Sequence, residues 1–242
     1  MKRSSNRNLT NTITFRAQSD HVMTVREKPV PASALLPDWW KNLPNFSSAS
    51  NTLELNPGPT VTVKRCLSAL DGLTSGYIVT LWTDVLVSYD SINGTTITWG
   101  NKEEPFSVWA PQQVSTYELP KGYGPTVFKY HHGWDIKTPS GWSSLIIHPT
   151  AYPNLPFKVI PGVVDTDALK TGIQTPLVFQ EGFSGILEKG TPIFQILPIH
   201  RSNWVSEFEV QTPREVELNI ETLRTRLGGY YAKYLRTPKS YK

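Results

Sequence analysis

A chain of 242 residues with one cysteine, Cys66, excludes an internal disulfide and a cysteine-based metal centre. Twenty prolines and 27 aromatic residues suit short strands and turns better than long helices. No apolar run is long enough to span a bilayer, and the charged start MKRSSNRNLTNTITF lacks the apolar segment of a secretory leader. The expectation is a protein without a membrane partner, made in a cytoplasm and used there or packed into a particle assembled there.

The net charge of +4 is uneven. Lys2, Arg3, Arg7 and Arg16 at one end, and Arg224, Arg226, Lys233, Arg236, Lys239 and Lys242 at the other, have no acid among them. Those ten leave 14 basic residues against 20 acids, a body of −6. Basic ends on an acidic body fit contact with nucleic acid or with an acidic face of a neighbouring subunit; solvated tails are the plainer alternative.

In chain order, residues 1–12 have no periodicity and read as unstructured when free. Ile13–Ala17 alternates as a strand, and His21–Val25 is expected to continue it. In Pro29–Pro44, four prolines bracket a turn at Ser33–Leu36 and a second beginning at Asp38, with Trp39, Trp40 and Leu43 on its buried side. Such a segment either clasps its own core or anchors in a partner. Asn45–Pro59 reads as a polar loop, Val61–Arg65 as a strand, and Leu67–Thr74 as a helical turn ending at Gly76. Tyr77–Tyr89 reads as one strong strand. Ser91-Ile92-Asn93-Gly94 is a hairpin signal with Thr95–Trp99 returning. Val108, Trp109 and Gln112–Tyr117 are expected to add an edge. His131 and His132 are adjacent, so on a regular strand they point to opposite faces and cannot share a metal. Cys66 reads as a small buried hydrophobe.

From Pro139 to His200 the chain reads as short strands cut by turns: Gly141–Ile147, Phe157–Val164, Pro176–Phe179, Phe183–Leu187 and Thr191–Ile199. The spacing leaves no room for crossover helices, so the sheets are expected to be antiparallel. Beyond it, Thr212-Pro213-Arg214-Glu215 is a helix start, and Val216, Ile220, Leu223 and Leu227 fall on one face. Gly228-Gly229 ends or kinks that helix. A basic, Tyr-rich tail follows, with Tyr230, Tyr231 and Tyr234.

Three segments in order, Ser143-Ser144-Leu145, then Pro161-Gly162-Val163-Val164-Asp165-Thr166-Asp167, then Leu187–Leu197 (LEKGTPIFQIL), resemble the middle motifs of the dUTPase and dCTP deaminase superfamily. The resemblance implies a small β-barrel-like or β-sandwich fold. It also implies a nucleotide site using Ser143, Ser144 and Gln195 as ligand contacts and Asp165 as the catalytic carboxylate, with Mg²⁺. The departures are Trp142 and Pro192 where the family carries Arg, Ala168 where an aromatic ring stacks on the sugar, and Ile78 where an Asp binds metal. The family's Gly-rich closing arm has no counterpart. Phosphoryl chemistry needs those cations, so the departures imply a fold kept without the activity.

The whole chain also resembles a family of tailed-phage proteins with which no activity comes. The shared segments are Leu36–Pro44 (LPDWWKNLP), Gly76–Val85 (GYIVTLWTDV), Lys189–Ile196 (KGTPIFQI) and the Tyr/Lys-rich C-terminus. It implies a viral source and an unknown role.

The resulting expectation is a mainly β protein: an antiparallel sandwich or barrel over 45–211, with 139–200 dUTPase-like, between a basic Pro/Trp-rich segment 1–44 and a C-terminal helix and basic tail 212–242. The expected role is a virion structural protein, a capsid decoration or neck/tail component, not an enzyme, and without cofactor or bound metal. Its interface residues would be Arg3, Arg7, Trp39, Trp40, Leu223, Leu227, Tyr230, Tyr231 and Tyr234. Its partners would be other virion proteins or itself, as a homo-oligomer such as a trimer, with nucleic acid at the basic termini. Host cytoplasm is the place of assembly. The alternative is a nucleotide-binding or nucleotide-hydrolysing enzyme using Asp165.

Overall fold

The computed structural model describes residues 11–47, 61–225 and 231–242. The chain divides into two compact units: Met1–Leu43, Gly72–Arg201 and Tyr241–Lys242 in one, Pro44–Asp71 and Ser202–Ser240 in the other. The first is mainly β, and every strand pairing in it is antiparallel, as the short spacing predicts.

Strand β1 (Thr14–Ala17) forms where alternation places it. His21–Val25 does not extend it but lies in helix α1 (Asp20–Val25). The Ser19 hydroxyl accepts from the Val22 amide at 3.2 Å and Asp20 puts an acid in the first turn, so the cap outweighs the strand pattern. Two residues, Val30–Pro31, make β2. A 3₁₀ turn over Ala32–Leu35 and the short α2 (Asp38–Lys41) follow as expected. Trp40 is buried; Trp39 is about half exposed and donates its indole N–H to the Ala151 carbonyl at 2.9 Å. Only Trp40 therefore takes the buried side expected of both.

Helix α3 (Leu67–Thr74) reaches β3 (Tyr77–Thr80) through Gly76, at φ 75°. A Cβ there would fall 1.9 Å from the Ile196 carbonyl oxygen, so only glycine lets the strand enter its sheet. The single strand expected over Tyr77–Tyr89 is two: β3 and β4 (Val85–Asp90), in different sheets. At the break, Leu81 N donates to Thr191 O and Gly190 N to Leu81 O, both at 2.8 Å. The Tyr130 hydroxyl donates to Thr80 O at 2.7 Å and accepts from Trp82 N at 3.1 Å. Asp84 accepts from the Lys189 amide at 2.6 Å.

The hairpin to β5 (Gly94–Trp99) turns where Ser91–Gly94 signals it, with Asp90 accepting from the Ile92 and Asn93 amides at 2.8 Å. Next come β6 (Phe106–Val108), then α4 (Pro111–Val114) where an edge was expected over Gln112–Tyr117. Pro111 begins that turn. Then follow β7 (Tyr123–Tyr130), β8 (Trp134–Lys137) and β9 (Trp142–Ile147). Phe157–Val164 is divided into β10 (Phe157–Val159) and β11 (Gly162–Val164), because Pro161 has no N–H to continue one ladder. The last are β12 (Thr175–Gln180), β13 (Gly185–Leu187) and β14 (Pro192–His200).

The strands form sheets in the orders β11-β9-β14-β3-β2, β10-β12-β7-β6, β13-β4-β5 and β1-β8. One core joins all four: Val79, Ile146, Phe194 and Ile196 from the first, Phe106, Phe128, Tyr130, Phe157 and Phe179 from the second, Val85, Val87 and Leu187 from the third, Ile136 from the last. Phe179 is central, with edge-on contacts to Phe128 at 5.4 Å, Phe157 at 6.0 Å and Phe106 at 6.4 Å.

In the second unit Val61 makes one bridge to Phe46, and Val63–Arg65 is a 3₁₀ turn where a strand was expected. Thr62 caps that turn by accepting from Lys64 N at 3.2 Å. Cys66 is exposed, not buried. Helix α5 (Pro213–Thr225) carries the expected capping box: Thr212 Oγ1 accepts from Glu215 N, and the Glu215 carboxylate accepts from Thr212 N at 2.8 Å. No described helix is long and apolar enough to cross a membrane.

Two stability tests follow from the buried polar groups. Tyr130→Phe leaves Thr80 O and Trp82 N without their partner and should cost roughly 2–4 kcal/mol in urea unfolding. His132 is buried between Tyr130 and Phe194, its Nδ1 accepting from Trp134 N at 3.2 Å. Burial holds its pKa near 4, below the ordinary 6.5. Neutral His132 therefore fits the fold above pH 6.5, and stability should fall as pH drops from 6.5 to 4. The loss is about 3 kcal/mol by linkage. His132→Phe should remove most of that slope, leaving the smaller contribution of His131 and His148, both also lowered by burial.

Candidate functional site

The motif residues lie on three neighbouring strands. Register places Val164 of β11 opposite Ser144 of β9, and Ser143 opposite Ile199 of β14. Asp165 and Asp167 follow β11, and Arg201 follows β14. There the Ser143 hydroxyl donates to Asp165 Oδ1 at 2.6 Å. The Arg201 guanidinium donates to Ser143 Oγ at 3.1 Å, stands 3.1 Å from Asp165 Oδ1, and grips both oxygens of Asp167. Gly141 N adds a bond to Asp167 at 2.9 Å. The Arg201 contact first, then the Gly141 amide, hold the Asp167 pKa at about 2.

Asp165 and Arg201 reach solvent while Ser143 is buried, and beside Ser143 runs a buried hydroxyl chain. Ser144 Oγ meets Thr166 Oγ1 at 3.0 Å, which meets Thr138 Oγ1 at 2.7 Å. Ser144 thus points inward, away from any ligand at Asp165. Gln195 is also fully buried. Its carbonyl accepts from Thr150 N and Thr150 Oγ1 at 2.9 Å, and its amide donates to Ser75 O at 2.6 Å. Gln195 pairs with Ile147, four residues from Ser143, or about 13 Å along the strand. Of the four nucleotide-site candidates, the structure brings together Ser143 and Asp165, sets Ser144 underneath, and uses Gln195 to tie β14 to the loops at Ser75 and Thr150. Arg201 is the member that the motifs did not point to. Among the described residues no three His, Cys, Asp or Glu side chains are grouped as metal ligands.

The candidate interface residues fare differently. Arg3, Arg7, Leu227 and Tyr230 lie outside the described residues, as do residues 1–10, most of the Asn45–Pro59 loop and Gly228-Gly229. Leu223 lies in α5. Tyr231 and Tyr234 are about half exposed, and Lys233 Nζ sits 5.1 Å from the Tyr234 ring centre. Among the described residues, the end charges Arg236 and Lys239 pair with a carboxylate of the same unit. Asp71, largely buried, takes Arg236 at 2.6 Å and Lys239 at 2.8 Å. Hydrogen bonds from Arg236 and then Lys239 hold its pKa at about 2. Tyr241, rather than the other tail tyrosines, packs edge-on against Tyr77 at 5.8 Å.

Among the described residues, a further exposed apolar stretch lies just after Arg201. Between Arg201 and α5 the chain has no regular secondary structure, and Asn203–Gln211 make no hydrogen bond to any described residue. Trp204 is 89% exposed, Val205 87%, Phe208 95% and Val210 96%. Leaving each in water forgoes roughly 1.5–3 kcal/mol of burial. The signal in the sequence is short: Phe208 and Val210 alternate with Glu207 and Glu209, after an apolar pair at Trp204-Val205. On α5, Val216, Leu218 and Ile220 are exposed as well.

No family model matches the chain, and no curated protein matches it.

The carboxylate cluster gives one pH test. Asp167 is stabilised as an anion, so its contribution is present above the ordinary carboxylate pKa near 4 and is lost as pH falls toward 2. Asp167→Asn should lower the urea midpoint at neutral pH and flatten its dependence between pH 4 and pH 2.

Proposed function

We propose that the protein is a structural component of a tailed-phage particle, a capsid decoration or a neck or tail component. In this reading the β unit is a body and the region beyond Arg201 is an arm that binds neighbouring subunits. The observation that carries it is the row of nearly fully exposed apolar side chains at Trp204, Val205, Phe208 and Val210. A chain that works alone gains by burying such residues, and a chain that works in an assembly keeps them for its neighbour. The exposed apolar residues of α5 and the half-exposed Trp39 support the same reading.

For the fold we propose a dUTPase-like β-sandwich. Support comes from the three motif segments falling on β9, β11 and β14, which are adjacent in one sheet. The nucleotide alternative has a cation within reach of Asp165 in Arg201. Two carboxylates already face that cation, so the cluster carries a net charge of about −1 and disfavours a phosphate.

The test is incorporation. The protein should sediment with particles purified from the producing lysate and be found in them by mass spectrometry. The double variant Phe208→Asp, Val210→Asp should lose about 3 kcal/mol of contact, roughly a hundredfold in occupancy, because two apolar anchors are gone. Its thermal midpoint should not change, since both side chains are already in water. Particles devoid of the protein, together with micromolar deoxynucleotide–Mg²⁺ binding in calorimetry that Asp165→Asn abolishes, would replace this reading with the nucleotide one.

A further inference from the structure

Most outer strands of the β unit are blunted. β2 is two residues and includes Pro31; β6, β10, β11 and β13 are three each. β1 and β8 are four each and carry Arg16, Asp135 and Lys137. Short length, proline and charge are the usual devices that stop a sheet edge from pairing with another chain.

β5 has none of them. It is an outer strand of six residues, Gly-Thr-Thr-Ile-Thr-Trp, paired only with β4 and without a bulge. Its start lies near β7, where a Cβ on Gly124 would be 3.5 Å from Thr95 Oγ1. Thr96–Trp99 remain as an uncharged edge rich in β-branched and aromatic residues. On the face of the same three-stranded sheet a shallow groove is lined by Asp84, Leu86, Thr98, Trp99 and Ile186; Leu86 stands opposite Thr98 and Ile186 lies beyond Leu86 on β13, both exposed.

The same chain holds the complementary piece. Trp204–Val210 has no proline, alternates acidic and apolar over Glu207–Val210, and has backbone groups without partners among the described residues. Seven residues extend about 23 Å, enough to span the roughly 13 Å of free β5 edge. An acceptor edge and an unpaired strand on one chain complement each other between copies, and neither needs a different partner protein.

We propose that Trp204–Val210 of one copy adds as an antiparallel or parallel strand to Thr96–Trp99 of a second copy. This rests on the assembly reading and names the partner: another molecule of this chain. The arm's unpaired amides and carbonyls gain the β5 edge, and its side chains on one face come to lie beside the exposed Thr96 and Thr98.

The test uses full-length chains with Cys66→Ser, one set tagged to differ in size. One chain carries Ser206→Cys or Glu207→Cys, one on each face of the arm; the other carries Thr96→Cys or Thr98→Cys. Directly opposed strand residues are close enough for a disulfide. On mild oxidation at least one pairing should give a mixed dimer on a non-reducing gel. Its yield should exceed by about tenfold that of Val163→Cys, an exposed control at the β11 edge, because a docked strand raises the local concentration. Thr96→Lys in the acceptor, with Thr98→Cys retained, should reduce the yield to the control level. No mixed dimer above the control overturns the proposal. If the protein is nonetheless found in particles, the assembly reading stands with a different docking site. A mixed dimer with no protein in particles supports the pairing and removes the virion role.

Discussion

The first unit depends on how its backbone crosses from one sheet to another at Leu81–Asp84. A chain leaving a sheet inside a core strips its amides and carbonyls of ladder partners, and each left bare costs about 1–3 kcal/mol. Here Thr80 O, Leu81 N, Leu81 O and Trp82 N are met from elsewhere in the chain. Tyr130 serves both Thr80 O and Trp82 N with one hydroxyl, the Gly190–Thr191 turn serves Leu81, and Asp84 holds the Lys189 amide. Because these partners lie on β7 and between β13 and β14, the crossing also fixes those strands relative to β3 and β4. Burial of the Tyr130 phenol raises its pKa far above the physiological range, so this link does not titrate.

A similar economy governs the surface cluster at the ends of β9, β11 and β14. Arg201 is the single cation among Asp165, Asp167 and Ser143, and its donors are spent on them. The cluster ties a strand end to the turn after its neighbour's neighbour, across β9. Gln195 and the Ser144–Thr166–Thr138 hydroxyls do the same inside the sheet. Residues that resemble a nucleotide site in sequence are thus occupied with internal bonds. Among the described residues, the segment after Arg201 instead leaves apolar side chains and backbone groups facing water.

Local signals were legible wherever a short-range device acts alone. Thr212, Pro213 and Glu215 begin α5, Asp90 and Gly94 turn the β4–β5 hairpin, and Gly76 stops α3, each through bonds or φ values set within a few residues. Reading failed where two local signals compete or where a partner is distant. Ser19 wins over the strand pattern of His21–Val25 through one cap bond. Tyr77–Tyr89 alternates throughout, and nothing local says that Tyr130 and Thr191 will break it. The two-residue period of Glu207–Val210 covers four residues, too few to specify a strand or its partner by itself.

The sequence alone determined that the protein is mainly β, that its strands pair antiparallel and that one helix follows them, because strand length, turn chemistry and capping are properties of neighbouring residues. Tertiary structure decided which strands share a sheet, that Trp40 is buried and Trp39 is not, that Arg201 joins Asp165, and that Asp71 receives Arg236 and Lys239. Those outcomes rest on contacts between residues tens to more than a hundred positions apart, and the free energy that selects them is that of burying groups together.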